Sequence, residues 1–154
     1  MKTHRTLREN QQIPAPPSFW RLAHVHARMS EGQRIQSITA GLSVSWATAA
    51  KSTFGMSSTS IGRLLNLSLS TYERRKKDEK PLDSVASERL DRLASIAILA
   101  ENVFEDKQKA TRWLAAPNDA LGGNSPVMQC ETEIGAKQVR RVLIERDIAD
   151  FIDL

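Results

Sequence analysis

The sequence predicts an all-α chain, built as a short helix pair in a basic half followed by a small helical domain in an acidic half. Three observations lead there. Apolar residues recur at i, i+3 and i+4 through much of the 154 residues, and strand-like alternation bounded by hairpin turns is lacking. Capping residues stand where helices would start, and Gly, Asn and Pro stand where they would stop. The charge divides as well: 13 Lys plus Arg face 5 Asp plus Glu up to Lys80, against 9 and 13 from Pro81 onward. Two halves of opposite sign suggest two partners, a polyanion being the natural one for the first.

The composition narrows the function classes. With 40% hydrophobic and 26% charged residues, a folded core is expected. No apolar run approaches the roughly 18 residues of a membrane span, and Lys2, Arg5 and Arg8 are followed by no apolar signal region. The single cysteine, Cys130, has no partner in the chain and reads as a small, half-buried residue. A cytoplasmic protein with no membrane partner is expected.

Residues 1–36 read as a weakly structured extension. Gln11–Pro17 is a polyproline-like spacer and Gly32 a breaker, with a short helix possible around Phe19, Trp20, Leu22 and Val25. His24 and His26 stand two apart and so point to different sides of a helix; packed or exposed histidines are expected, and no metal site. Residues 37–82 form the first domain. Ser43–Phe54 makes a helix with Val44, Ala47, Ala50 and Phe54 inward, ended by Gly55. A second starts at Ser57 or Ser58 and carries Ile61, Leu64 and Leu65 on one face. Asn66 then tolerates the left-handed conformation that a tight turn needs. Ser68 caps a third helix, which becomes strongly basic. Two short helices joined by such a turn are the helix-turn-helix unit, whose second helix lies in the major groove. Ser68, Ser70, Thr71, Tyr72, Arg74, Arg75, Lys76 and Lys77 are the candidate DNA contacts, the cations neutralising phosphates.

Residues 83–154 form the second domain. Asp83 or Ser84 caps a long helix to about Phe104. Its apolar positions (Leu90, Leu93, Ala94, Ile96, Ala97, Leu99, Ala100, Val103, Phe104) exceed one stripe, so it should be buried on two sides as a spine. Asp106 caps a helix over 107–116 carrying Trp113 and Leu114. Pro117 ends it, and a tight loop follows with Leu121 at its tip and the pair Gly122-Gly123. Val127 and Met128 lead on to Thr132, the cap of the last helix. Its first apolar face is Ile134, Val139, Val142 and Leu143. At about 100° per residue, Ile144, Ile148, Phe151 and Ile152 fall on the opposite side. Either the helix breaks near Glu145–Asp147, or this second stripe is offered to another surface; the second is favoured.

Enzyme chemistry finds nothing to build on. Gly122-Gly123 lacks the Lys and Ser/Thr of a P-loop and the spacing of a dinucleotide fingerprint. A nucleophile elbow, a His-Glu-x-x-His pair and a zinc-spaced Cys pair are likewise missing. No catalytic residue, metal or cofactor is expected.

From about Gly41 to Ile148 the chain resembles the Xre/MbcA/ParS antitoxins. The resemblance rests on Gly41-Leu42-Ser43, Leu64-Leu65-Asn66-Leu67-Ser68, Thr71-Tyr72-Glu73-Arg74-Arg75, Arg112-Trp113-Leu114, Pro117-Asn118, Ala120-Leu121-Gly122-Gly123, Ser125-Pro126 and Thr132-Glu133-Ile134-Gly135-Ala136. It implies a C-terminal domain that binds a cognate toxin, RES-type or ADP-ribosyltransferase-like, over the entrance to its active site. It implies also an N-terminal domain that, as a homodimer within a toxin–antitoxin assembly, binds operator DNA and represses its own operon. Trp113, Asn118, Leu121, Gly122, Gly123, Arg140, Ile144, Ile148 and Phe151 are the candidate toxin contacts. Three departures from the family pattern stand out: Leu69 and Ser70 where relatives often carry long basic residues, Asn66 in place of the turn glycine, and Asp147 in place of a common Gly. Two other functions stay open: a protein inhibitor whose helix-turn-helix only dimerises, and a ligand-responsive regulator without a toxin.

Overall fold

The computed structural model describes residues 18–153, and among them every regular element is helical. In order these are α1 (Phe19–Ala27), α2 (Glu31–Ala40), α3 (Ser45–Thr53), α4 (Ser58–Leu65), α5 (Leu69–Asp78), α6 (Ser84–Phe104), α7 (Lys107–Ala115), a 3₁₀ turn (Asp119–Leu121), α8 (Pro126–Gln129) and α9 (Glu133–Ile152). No helix among the described residues is long and apolar enough to cross a membrane.

The helix starts follow local chemistry. Ser18, Ser30, Ser57, Ser68, Asp83, Asp106, Ser125 and Thr132 each sit in an extended conformation and accept a backbone N–H from the first turn. Ser30 and Gln33 complete a reciprocal capping box. The α4–α5 turn is closed at Asn66, left-handed at φ 55° and ψ 45°. There Leu67 N–H bonds Gly62 O at 2.8 Å and Asn66 N–H bonds Arg63 O, a Schellman ending without glycine.

The long helix α6 is the axis of the packing. Leu90, Leu93, Ala94, Ile96, Ala97 and Ala100 are all fully buried. They are covered by α1, α2 and α4 from the first half and by α7 and α9 from the second. The two-sided burial expected from its composition is what the structure has.

The expectation of weak structure over residues 1–36 does not hold for the described part. Helix α1 buries Phe19, Trp20 and Ala23, with Phe19 edge-on to Trp46 and Phe54 at ring distances of 5.8 and 5.2 Å. Trp20 Nε1 donates to Thr111 Oγ1 at 2.8 Å. Aromatic anchors supply the burial that the Pro-rich context hides. The spacer Gln11–Pro17 lies outside the described residues.

Helix α2 buries no residue fully and is held by charge instead. Arg34 donates from Nε and Nη2 to the two carboxylate oxygens of Asp91, at 3.0 and 2.7 Å, and from Nη2 to Ser95 at 3.2 Å. His26, only 3% exposed, brings Nε2 against the same carboxylate, and His24 Nε2 lies 2.7 Å from Glu101 Oε2. Both histidines thus pair with acids on α6. Burial pushes the Asp91 carboxyl up, but hydrogen bonds from His26 and Arg34 and their charges outweigh it and bring it down to about 2. A second such centre is Arg92, 9% exposed. It donates to Glu88 at 2.7 and 2.9 Å and to Cys130 O at 2.9 Å, with Glu133 3.2 Å from Nε.

In the last helix one detail differs from expectation, and another agrees with the favoured alternative. Ile134 is 74% exposed and belongs to no inner face; Gly135 and Ala136 take that place, ahead of Val139 and Leu143. At 100° per residue Ile134 falls about 140° from Val139, while Gly135 and Ala136 fall within about 60° of it; Gly135 also permits a close approach, since a Cβ there would lie 1.8 Å from Gln129 O. Helix α9 also runs unbroken through Glu145–Asp147 to Ile152, so its second stripe faces away from the core.

Two outcomes are expected. Gly135→Ala forces α8 from α9 and should cost at least about 2 kcal/mol in denaturant unfolding, as overpacking does. Asp91, its folded pKa depressed, contributes stability that is complete above about pH 4 and is lost as pH falls through about 2. Asp91→Asn should therefore cost about 2 kcal/mol at neutral pH, and this difference from wild type should vanish on acidification below pH 2.

Candidate DNA-binding and partner-binding surfaces

The second helix of the α4–α5 pair begins with hydroxyls and ends with cations. Ser68 Oγ accepts Thr71 N–H at 3.2 Å and bonds Thr71 Oγ1 at 2.8 Å and Ser70 Oγ at 3.2 Å. It works as the cap. Tyr72 corrects the expectation of a DNA contact: it is 1% exposed, with its hydroxyl 3.2 Å from Thr48 Oγ1. One turn into a short amphipathic helix, the largest apolar body goes to the core and its hydroxyl finds a partner there. Arg75 also turns away, donating from Nη1 to Pro81 O and so closing the loop after α5. Thr71 is half-buried, whereas Ser70, Arg74, Lys76 and Lys77 stand exposed. With Tyr72 inward, a 100° step places Ser70 and Arg74 roughly 160–200° away and Lys77 close to them. The structure thus groups Ser70, Arg74 and Lys77 on one outer face, a geometry suited to a phosphate-lined groove.

The candidate toxin contacts divide into scaffold and surface. Leu121 is 4% exposed and belongs to the core, correcting its expected role at the loop tip. The loop's apolar residue is its anchor, and the glycines are its surface. Asn118 ties the loop together. Its Oδ1 accepts Ala120 N–H at 3.0 Å, its carbonyl accepts from Leu121 and Gly123, and its N–H donates to Asn124 O at 3.1 Å. Gly122 and Gly123 have φ of 68° and 86°, where L side chains are strained, and both are exposed. Trp113 is half-buried and tilted against Phe104 at 5.8 Å, so most of it packs inside. Arg140, half-buried, donates to Glu133 at 3.0 Å.

The tail of α9 is different in kind. Leu143 is the last buried residue, and Ile144, Ile148, Phe151 and Ile152 are 49%, 53%, 75% and 72% exposed. Arg146 lies over the Phe104 ring at 4.7 Å and ties this segment to the body. Beyond it an apolar stripe stands in solvent.

Cys130 is fully buried, not half-buried as expected, with Sγ 3.2 Å from Pro126 O. Burial pushes its thiol up to about 12, against the nearby arginines, so it stays protonated and unreactive. The polar centres on Asp91 and Arg92 escaped sequence reasoning. The single available signal was the i, i+4 pair Glu88–Arg92, too common to stand out.

Comparison with known proteins accounts for this arrangement. Residues 33–95 match the antitoxin Xre-like helix-turn-helix domain. Residues 99–147 match the antitoxin Xre/MbcA/ParS C-terminal toxin-binding domain. The chain is also similar to an antitoxin Xre of Pseudomonas putida, 36% identical over 77 residues, which is 50% of this chain and 48% of that protein. The match therefore spans about half the length of that relative. The two domain matches meet inside α6 and follow one another in the order in which the structure builds the helix pair and the acidic half; the chain belongs to the Xre/MbcA/ParS antitoxin family, with an Xre-like helix-turn-helix ahead of its toxin-binding domain.

Proposed function

We propose that the chain is the antitoxin of a toxin–antitoxin module and the repressor of its own operon. Its C-terminal part holds a cognate toxin that consumes NAD or transfers ADP-ribose, of the RES type, and covers the entrance to that toxin's active site. As a homodimer in the resulting assembly, in the cytoplasm, it binds operator DNA through α5. The division into a 37–82 DNA-binding domain and an 83–154 toxin-binding domain belongs to this reading, with α6 serving both.

The observation that carries the toxin half is the stripe Ile144, Ile148, Phe151 and Ile152 on the free end of α9. Single exposed apolar residues are ordinary, but four on one helical face form a contiguous patch of the kind that marks a binding surface. The nine residues after Leu143 carry that face about 14 Å along the axis, enough to enter a cleft. Gly122 and Gly123 offer bare backbone as a second contact. The operator half is supported by the exposed Arg74, Lys76 and Lys77 on a basic second helix.

Two measurements test the reading. Mixed with the product of the adjacent gene, the full chain should form a stable complex and suppress NAD loss or ADP-ribosylation. Ile148→Asp and Phe151→Asp should each weaken that complex by on the order of thirtyfold, as centrally placed contacts do, while thermal unfolding stays unchanged. A toxin left fully active by the wild-type chain would end the proposal. For the operator, gel shifts on the chain's own promoter should fall steeply with salt, and Arg74→Ala or Lys77→Ala should each reduce the salt slope by about one. Binding that is absent or insensitive to salt favours the second reading, in which the helix-turn-helix only dimerises. The short or apolar side chains of Leu69 and Ser70 are what favour it.

A further inference from the structure

The leading end of α5 combines three features that together define a base-reading group. Its first helical position is Leu69, 51% exposed on a helix whose other exposed side chains are all polar. Its neighbours at that end are short hydroxyls already engaged with one another: Ser68 holds Thr71 N–H, and Ser70 Oγ lies 3.2 Å from Ser68 Oγ. The first long cation on the outer face is Arg74, a full turn further along. In a helix-turn-helix the N-terminal residues of the second helix meet base edges, and the flanking cations meet phosphates. An isobutyl group there can accept no hydrogen bond and donate none. Among the base-edge groups in the major groove, the thymine 5-methyl is the one that rewards an alkyl contact.

Resting on the operator reading above, we infer that Leu69 is a specificity-determining residue. It packs on the 5-methyl group of a thymine in each half-site, so that this position selects T·A by apolar contact and not by a hydrogen-bonded pair. A long basic side chain at this position would seek guanine edges; Leu69 exchanges that preference for a methyl group. Ser70, with its small hydroxyl, leaves room for the close approach that a methyl–isobutyl contact needs.

Deoxyuridine in place of thymine removes the 5-methyl and nothing else, which makes the test direct. Duplexes selected by the full chain from a random pool should carry a thymine at one symmetry-related position per half-site. Replacing that thymine by deoxyuridine should weaken wild-type binding about three- to fivefold, the value of one methyl buried. The same replacement should leave Leu69→Ala unaffected. Leu69→Gln should move the preference at that base pair towards adenine, whose N6 and N7 a glutamine can pair. Leu69 lies outside the core, so both variants should unfold at the wild-type temperature. Equal deoxyuridine sensitivity in wild type and Leu69→Ala overturns the inference, as does a change of oligomeric state in place of a change of sequence preference. A folded chain that selects no duplex at all overturns the operator reading itself, a result distinct from specific binding without the methyl effect.

Discussion

Asp91 is a carboxylate inside the protein, and the first half of the fold closes around the need to satisfy it. Buried and unpaired, such a group would be strongly destabilising. It is retained because α1 brings His26 and α2 brings Arg34 to its two oxygens. A helix with no fully buried residue of its own is thereby fastened to the body. The interaction is unequal in its consequences. Removing Asp91 deprives both Arg34 and His26 of their carboxylate, the latter beside Trp46 in the core. The aromatic contacts of Phe19 and Trp20 position α1 so that the pairing can form.

Arg92, the next residue on α6, does the corresponding work for the second half. Its guanidinium reaches Cys130 O at the end of α8 and the Glu133 carboxylate in the first turn of α9. Adjacent residues on one helix, about 100° apart, thus point to different sides and hold different halves of the molecule. The two family domains meet between residues 95 and 99, inside α6. The helix is therefore shared framework, and the basic α5 and the free end of α9 are mounted on it through α4 and the body of α9. Both surfaces are made of residues the core does not use: the outer face of α5 opposite Tyr72, and the stripe of α9 beyond Leu143.

Several features were legible because they depend on neighbours in sequence. Ser68, Asp83, Asp106 and Thr132 were readable as caps since a cap needs only a side-chain oxygen and the next turn. Asn66 was readable as left-handed because few other residues occupy that region without strain. The reversal of the apolar stripe after Leu143 followed from the helical repeat alone. Two of the misassigned residues share one cause. Tyr72 and Leu121 are amphipathic or apolar groups that suit either a core or a contact, and only their neighbours in space decide between the two. Ile134 has a different cause: it was grouped inward for its apolarity, although the helical repeat sets it about 140° from Val139 and puts Gly135 and Ala136 on that face.

By itself, then, the sequence determined the all-helical class, the helix starts, the turn at Asn66, the two-sided burial of α6 and the family. Each rests on periodicity, on local hydrogen bonding or on the motif run from Trp113 to Ala136. The tertiary structure decided that residues 19–36 are part of the body, that Tyr72 and Leu121 face inward, that Arg75 turns to Pro81 O, and that α9 continues without a break. Those outcomes turn on pairings such as Arg34 with Asp91 and Trp20 with Thr111, between residues 57 and 91 positions apart. A side chain's partner at that separation is set by how the helices pack, which no local pattern contains.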